Sequence, residues 1–169
     1  MDAKEATMYR LGHYGAALLA YGPVALVLLL ADRSELAVVG GAATVALSPL
    51  PDADLKLPFV RHRGVTHTLA FGVVVGTVLA ALAWTLSGGQ PAAARYAYVS
   101  LGLVVGTISV GSHLLADVIT PAGITPFWPV SSRHYSMNLV SSDSLVANWS
   151  LLGAGVAMTG GLVVAFAGG

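Results

Sequence analysis

The fold is decided by a long apolar stretch in the second half of the chain, Tyr96 to Ile119, which reads YAYVSLGLVVGTISVGSHLLADVI. A helix needs roughly 20 apolar residues to cross a bilayer core about 30 Å thick. This stretch is long enough, and its imidazole and carboxylate side chains, those of His113 and Asp117, fall only near its end. We therefore predict a membrane-spanning helix with polar groups in its last turns.

Further stretches of the chain have the same apolar character. They run from Tyr14 to Ala31, from Leu36 to Leu50, from Val65 to Leu86 and from Leu145 to Phe166. Hydrophobic residues make up 56% of the chain and charged residues 9%, and the mean hydropathy is +0.77. A soluble domain carries about 25% charged residues. The sequence predicts an all-α, polytopic membrane protein, with about five transmembrane helices in one bundle and residues 1–169 as one domain.

The charge balance and the absence of cysteine exclude several classes of protein. Eight basic residues balance eight acidic ones, so the chain has no basic surface of the kind that binds nucleic acid. The lack of cysteine excludes disulfides, thiolate zinc sites and cysteine nucleophiles. The lipid bilayer is the partner that this composition predicts, and nucleic acid is not.

The basic residues are unequally divided between the two predicted sides of the membrane. One side carries only Arg33 and Arg95, and the other carries the remaining six, Lys4, Arg10, Lys56, Arg61, Arg63 and Arg133. Cytoplasmic loops are enriched in Lys and Arg. We therefore expect a multi-pass protein of the cell (inner) membrane, with its N-terminus and its polar helix ends in the cytoplasm.

Small residues recur within the predicted spans at a spacing typical of close helix contacts. Gly72 and Gly76 form one such pair, and Gly102 and Gly106 form another. Glycine at every fourth position lets two helix backbones approach closely in a membrane. The pairs favour packing within the bundle, and the alternative is an oligomer formed through the same glycine-rich faces.

The ionisable residues collect at the predicted cytoplasmic ends of the helices. His113 and Asp117 are four residues apart and project from one helix face, where they could bind a shared metal or close the helix end as a hydrogen-bonded pair. Asp52 and Asp54 follow a helix end bounded by prolines, and a turn could direct both carboxylates toward a cation. Alone, such a pair is more typical of a solvated loop or a helix cap.

The block HRGVTHT, residues 62–68, is the most unusual part of the sequence. Gly64 permits an unusual backbone angle, and Thr66 is predicted to cap the third helix. His62 and His67 would then reach one site from the loop and from the helix. At the start of the fifth helix, either Asp143 or Asn148 is predicted as the N-cap.

Imidazoles and carboxylates without thiols are ligands typical of Zn²⁺ or Mn²⁺. The candidates exceed what one tetrahedral ion needs, so we expect two or three divalent ions, which would be zinc or, as the alternative, manganese. The predicted metal ligands are His13, Asp52, Asp54, His62, His67, His113 and Asp117. Arg63 and Arg61 could hold a phosphate or carboxylate. Residues that could support the ligands are Thr66, Asp143 and Asn148.

Four features in a fixed order carry a resemblance to a known family. They are the early His13, LSPLPDAD at residues 47–54, HRGVTHT at residues 62–68, and HLLAD followed by TPAGITPFWP between residues 113 and 129. From His13 to about Asn148 the chain resembles the YdjM-type family of inner-membrane metal-dependent hydrolases. The family pattern usually has Ser after the second histidine, where this chain has Thr68. That family is itself similar to zinc phospholipase C and P1 nuclease.

The resemblance implies a metal-dependent hydrolase that attacks a phosphoester with a metal-activated water. A site at the membrane surface favours an amphiphilic, phospholipid-like substrate, with Asp54 and Arg63 in catalytic roles and Arg61 beside Arg63 in substrate binding. Two alternatives are a transporter of metal ions or protons and a non-catalytic membrane scaffold. Transport is disfavoured because the middle of each span is almost free of charge. The scaffold would use its histidines and aspartates only to cap helices.

Overall fold

The computed structural model describes residues 10–60 and 62–166, which form an all-helical bundle. The α-helices are α1 (Arg10–Leu30), α2 (Ser34–Leu47), α3 (Leu69–Leu86), α4 (Ala92–Val118) and α5 (Leu145–Phe166). Short 3-10 helices at Pro51–Lys56 and Val65–His67 lie between α2 and α3. Within the described residues there is no β-strand, only an isolated bridge between Ile124 and Tyr135. The predicted all-α fold is confirmed.

Five helical segments are long and apolar enough to cross a membrane. The helix α2 has only 14 residues and rises about 21 Å, less than the bilayer core. Together with the 3-10 helix that follows, it forms a segment of 23 residues, Ser34–Lys56, that is long enough. The chain is therefore a multi-pass membrane protein, as the sequence predicts.

Glycines bring the helices together in pairs. A Cβ atom on Gly106 would lie 2.5 Å from the backbone of Gly76, and one on Gly76 would lie 2.7 Å from the carbonyl oxygen of Leu103, so α3 and α4 run antiparallel in close contact. The helix α1 packs against α5 in parallel, with Gly15 against Leu151. The regularly spaced glycines of α3 and α4 thus serve packing inside the bundle.

The bundle is apolar outside and polar inside at one end. Its outer surface exposes aliphatic side chains such as those of Val38, Leu86 and Val164, as expected for helices in contact with lipid. Buried ionisable groups lie at the starts of α1 and α3 and near the ends of α2 and α4; they are His13, Asp54, His67, His113 and Asp117. The chain thus places its polar interior at the end of the bundle that the sequence predicts to be cytoplasmic.

The start of α3 differs from the prediction. The predicted helix from Val65 begins as a 3-10 turn, and α3 itself starts at Leu69, after Thr68. The Thr68 hydroxyl accepts a hydrogen bond from the Phe71 amide at 3.1 Å and is the N-cap. The prediction that Thr66 caps this helix is wrong, because its hydroxyl donates to Asp54 instead.

The start of α5 was predicted at the correct residue, Leu145, but with the wrong cap. The hydroxyl of Ser144 accepts a hydrogen bond from the Ala147 amide at 3.3 Å, which is the usual N-cap arrangement. Asp143 is exposed and accepts a hydrogen bond from the hydroxyl of Ser141. Asn148 lies inside the first turn, so neither predicted residue is the cap.

Candidate metal centre

Four side chains bring donor atoms close together at the polar end of the bundle. His67 Nε2 and His113 Nε2 lie 3.3 Å apart. Asp52 Oδ1 lies 3.5 Å from each of these nitrogens, and so does Asp117 Oδ2. The four residues come from the 3-10 helix after α2, the 3-10 helix before α3 and the last turns of α4. Three separate parts of the chain thus contribute donor atoms to a single group, called here the four-donor group.

The spacing of each carboxylate oxygen from the two imidazole nitrogens suits a shared cation. Donor atoms that bind one zinc ion at about 2.1 Å lie about 3.4 Å apart when the bonds are tetrahedrally disposed, and the five distances above are 3.3 to 3.5 Å. Asp117 Oδ2 is buried and has no hydrogen-bond partner in the described part of the chain. A buried carboxylate oxygen is costly unless a cation or a donor compensates it. The donor set therefore suits a divalent metal.

Hydrogen bonds behind the two histidines orient them toward the four-donor group. His113 Nδ1 donates to the carbonyl oxygen of Ser48 at 2.8 Å, which leaves the lone pair on Nε2. His67 Nδ1 lies 3.0 Å from the hydroxyl of Thr66, which itself donates to Asp54. Metal-binding histidines commonly have their second ring nitrogen held in this way. Both Nε2 atoms are thus available as ligands.

Asp54 lies behind His67. Its Oδ2 accepts a hydrogen bond from Thr66 at 2.6 Å and lies 3.4 Å from His67 Nδ1, and its Oδ1 is 2.8 Å from His62 Nδ1. One ligand atom each from Asp54, His62 and His67 lies within 4.8 Å of the others, so these three could also hold an ion. The same carboxylate can therefore orient His67 or bind metal.

His13 extends the cluster toward α1. Its ring stacks on that of His113, with centroids 3.9 Å apart and planes 6° from parallel. With His113 and Asp117 it forms a third group of donors within 4.8 Å, and it is fully buried. The three groups share residues, as expected for a cluster of neighbouring ions, and the number of ions stays a prediction.

Arg63 connects the cluster to the loop after α4. Its guanidinium donates to the carbonyl oxygen of Gly123 at 3.0 Å and to Asp117 Oδ1 at 3.2 Å. The guanidinium bonds Oδ1 of Asp117, so the other oxygen of that carboxylate, Oδ2, is the one that belongs to the four-donor group. The unusual backbone angle expected at Gly64 is present, since its φ of −91° and ψ of −126° lie outside the α and β regions. Arg63 before it also has an unusual conformation, with φ of +59°. Arg61 lies outside the described residues.

Of the two predicted supporting residues near α5, Asp143 is exposed and Asn148 is buried. Asp143 has no hydrogen bond or ion pair to the cluster among the described residues. Asn148 is buried, and its amide group donates to the carbonyl oxygens of Ser142 at 3.1 Å and Ser144 at 2.8 Å. Asn148 thus ties the preceding loop to α5.

Two backbone carbonyls in the site were missed by sequence reasoning, those of Ser48 and Gly123. Ser48 is the C-cap of α2, and the last turn of any helix leaves carbonyl oxygens without an internal partner. That rule could have marked Ser48 as an acceptor near the site. Nothing in the sequence around Gly123 could have indicated its contact with Arg63.

A cavity of about 810 Å³ lies beside the cluster. His62, Arg63 and Thr66 line it on the side of the donors, and residues of the loop after α4 line the other side. The cavity gives a small molecule access to the neighbourhood of the four-donor group.

Comparison with known protein families gives one match. The family model described as YdjM inner membrane protein matches residues 8–167, a range that includes all the donors above. Neither the curated proteins nor the solved structures give a match. Because the match covers nearly the whole chain, the protein belongs to the YdjM inner membrane protein family.

Proposed function

We propose that the protein is a membrane-embedded, metal-dependent hydrolase of phosphoesters, with amphiphilic, phospholipid-like substrates. The observation that carries the proposal is the four-donor group beside a cavity, in which two imidazole nitrogens lie 3.3 Å apart and each of two carboxylate oxygens lies 3.5 Å from both nitrogens. Nitrogen and oxygen donors in this number fit Zn²⁺, and Mn²⁺ accepts the same donors.

The residues of the four-donor group, Asp52, His67, His113 and Asp117, would hold the metal, and His13, Asp54 and His62 would hold further ions. A divalent ion bound there supplies Lewis acidity and a nucleophilic water at neutral pH. The carboxylates of Asp52 and Asp117 would balance its charge in the apolar surroundings of the bundle.

Two other side chains can act on the substrate directly. Arg63 lines the cavity, and a guanidinium there can stabilise negative charge that develops on phosphoryl oxygens. His62 also lines the cavity; its Nδ1 is held by Asp54, and its Nε2 has no hydrogen-bond partner in the described part of the chain. That nitrogen is itself buried, and because a buried polar atom without a partner is costly, a substrate oxygen or a water that reached it would be favoured.

The position of the polar groups supports a site at one face of the membrane. The buried histidines and aspartates lie at one end of the bundle, whereas a transport path would need polar groups through the depth of the bilayer. The same position at the level of the lipid headgroups favours an amphiphilic substrate.

The proposal is tested by metal analysis together with a substitution in the four-donor group. The full chain, purified without chelator and supplied with zinc, should contain bound metal and hydrolyse a chromogenic phosphodiester. His113→Ala should lower metal affinity and hydrolysis by at least the roughly 10–100-fold that is typical of losing a residue that orients a ligand, because His113 would bind the metal directly. His134→Ala, an exposed histidine outside the donor groups, is the control for metal content, and Glu35→Gln is the control for activity. A wild-type chain without metal, or an unchanged His113→Ala variant, would contradict the proposal.

A further inference from the structure

The cavity beside the cluster has two walls of different origin. One is formed by Phe59, Val60 and residues 62–66, and the other by the loop after α4, between Ala122 and Trp128. Phe71, in the first turn of α3, also lines it. The Leu69 amide donates to the carbonyl oxygen of Pro126 at 2.8 Å, which fixes the second wall to the start of α3. The cavity therefore lies where a spanning helix enters the bilayer.

The end of the cavity nearest the cluster is polar and suits an anion. Arg63 lies there with its guanidinium bonded to Asp117, and His62 lies there with Nε2 directed to no protein acceptor or donor among the described residues. None of the described residues that line the cavity is acidic. An anionic phosphoryl group would thus meet a cationic side chain without a carboxylate in the wall.

Apart from Thr125 and His134, most of the remaining lining is apolar, and part of it faces outward. Phe59 is 97% exposed, Val65 is 51% exposed and Trp128 is 46% exposed. Large apolar side chains in water are unfavourable, but at the end of a transmembrane bundle they lie among lipid headgroups and the upper acyl chains, where Trp is enriched. The opening of the cavity is therefore bordered by side chains suited to contact with lipid.

We infer that this cavity takes a phosphate-bearing lipid directly from the bilayer through the opening between Phe59 and Trp128. Its phosphate lies beside Arg63 and His62, and the first methylene groups of its chain contact Phe71 and the apolar border. The inference rests on the proposed function and adds the route by which the substrate enters and the residues that contact its phosphate and its chain. A soluble phosphoester would satisfy the polar end but leave the apolar wall in water.

The inference is tested by photolabelling, which needs no turnover. The full chain is placed in phosphatidylcholine nanodiscs that contain phosphatidylglycerol with a diazirine near the top of one acyl chain. Labelling should concentrate on the peptides that contain Phe59, Phe71 and Trp128. Ala122→Trp, which fills the cavity from an exposed position, should reduce this labelling by about tenfold. Ala81→Trp, on the exposed surface of α3, should not.

A second variant tests the inference independently, in case Ala122→Trp does not fold. Phe59→Ser changes a side chain that is almost fully exposed, so the fold should persist while labelling of the cavity falls. Labelling of the exposed face of α5 is the internal reference. Cavity labelling no stronger than this reference, or labelling unchanged in Ala122→Trp and Phe59→Ser, would overturn the inference. If the protein hydrolyses a soluble phosphoester but the cavity is not labelled, only the inference of a lipid site is overturned. If the cavity is labelled but no phosphoester is hydrolysed, only the proposed hydrolase function is overturned.

Discussion

The Nε2 atoms of His67 and His113 lie 3.3 Å apart, although 46 positions separate these residues in the chain. The Nδ1 atom of His113 is held by a carbonyl oxygen and that of His67 by the Thr66 hydroxyl. Both Nε2 atoms thus present lone pairs, and the carboxylates of Asp52 and Asp117 approach both nitrogens. A divalent cation bound among these four electron-rich atoms would relieve their repulsion, so the arrangement predicts that metal binding stabilises the fold.

Removal of the metal should therefore lower the thermal stability of the protein. A ligand that binds only the folded state at 100 times its Kd contributes about 2.7 kcal/mol. For a chain of this size that corresponds to a change in Tm of roughly 5–10 °C. The measurement is Tm in detergent after chelation and again after zinc is restored. Equal Tm values with and without bound zinc would contradict the prediction.

Much of the fold was predictable because spanning helices are encoded locally. A run of apolar residues suffices to identify a span, and for α5 both bounds, Leu145 and Phe166, were predicted at the observed residues. The error at the start of α3 has a local cause. Two threonines, Thr66 and Thr68, can each cap a helix, and the chain uses the first for the site and the second for the cap.

The site was only partly predictable because its geometry depends on distant parts of the chain. Residue type and side of the membrane identified Asp52 and Asp54 as a pair of candidate ligands, but not which of them would join the four-donor group. That choice depends on how the 3-10 helix turns and on contacts with His67 and Thr66. The bond between His113 and the Ser48 carbonyl spans 65 positions and has no sequence signature.

Close packing of α3 against α4 should make the glycines of this interface sensitive to substitution. A Cβ at position 106 would lie 2.5 Å from the backbone of Gly76, so Gly106→Ala forces the helices apart and should cost about 1–3 kcal/mol. Gly160→Ala is the matched control, because nothing lies within 4 Å of a Cβ there. Thermal unfolding in detergent measures both variants. Equal loss of stability would show that α3 and α4 are not in the contact described.

The unequal distribution of arginines predicts that the metal centre faces the cytoplasm. The chain has no cysteine, so single cysteines can report the side of each loop. Gly88→Cys, between α3 and α4, should react with a membrane-impermeant maleimide in intact cells. Ser132→Cys, between α4 and α5, should react only after permeabilisation, since it lies on the side of the site. The reverse pattern would place the site outside the cytoplasm.

The contact of Asp54 with Thr66 and His67 predicts that its charge matters for metal affinity as much as its shape. Asp54→Asn is close to isosteric but removes the negative charge that holds His67 and His62. Groups that orient a ligand in this way typically change metal affinity by 10–100-fold, so zinc should bind more weakly by about that factor. Competition with a fluorescent zinc chelator measures the affinity, and Asp143→Asn, an exposed carboxylate without an ion pair to the cluster in the described residues, is the matched control. Equal zinc affinity in Asp54→Asn and wild type would show that Asp54 neither binds the metal nor orients the histidine that does.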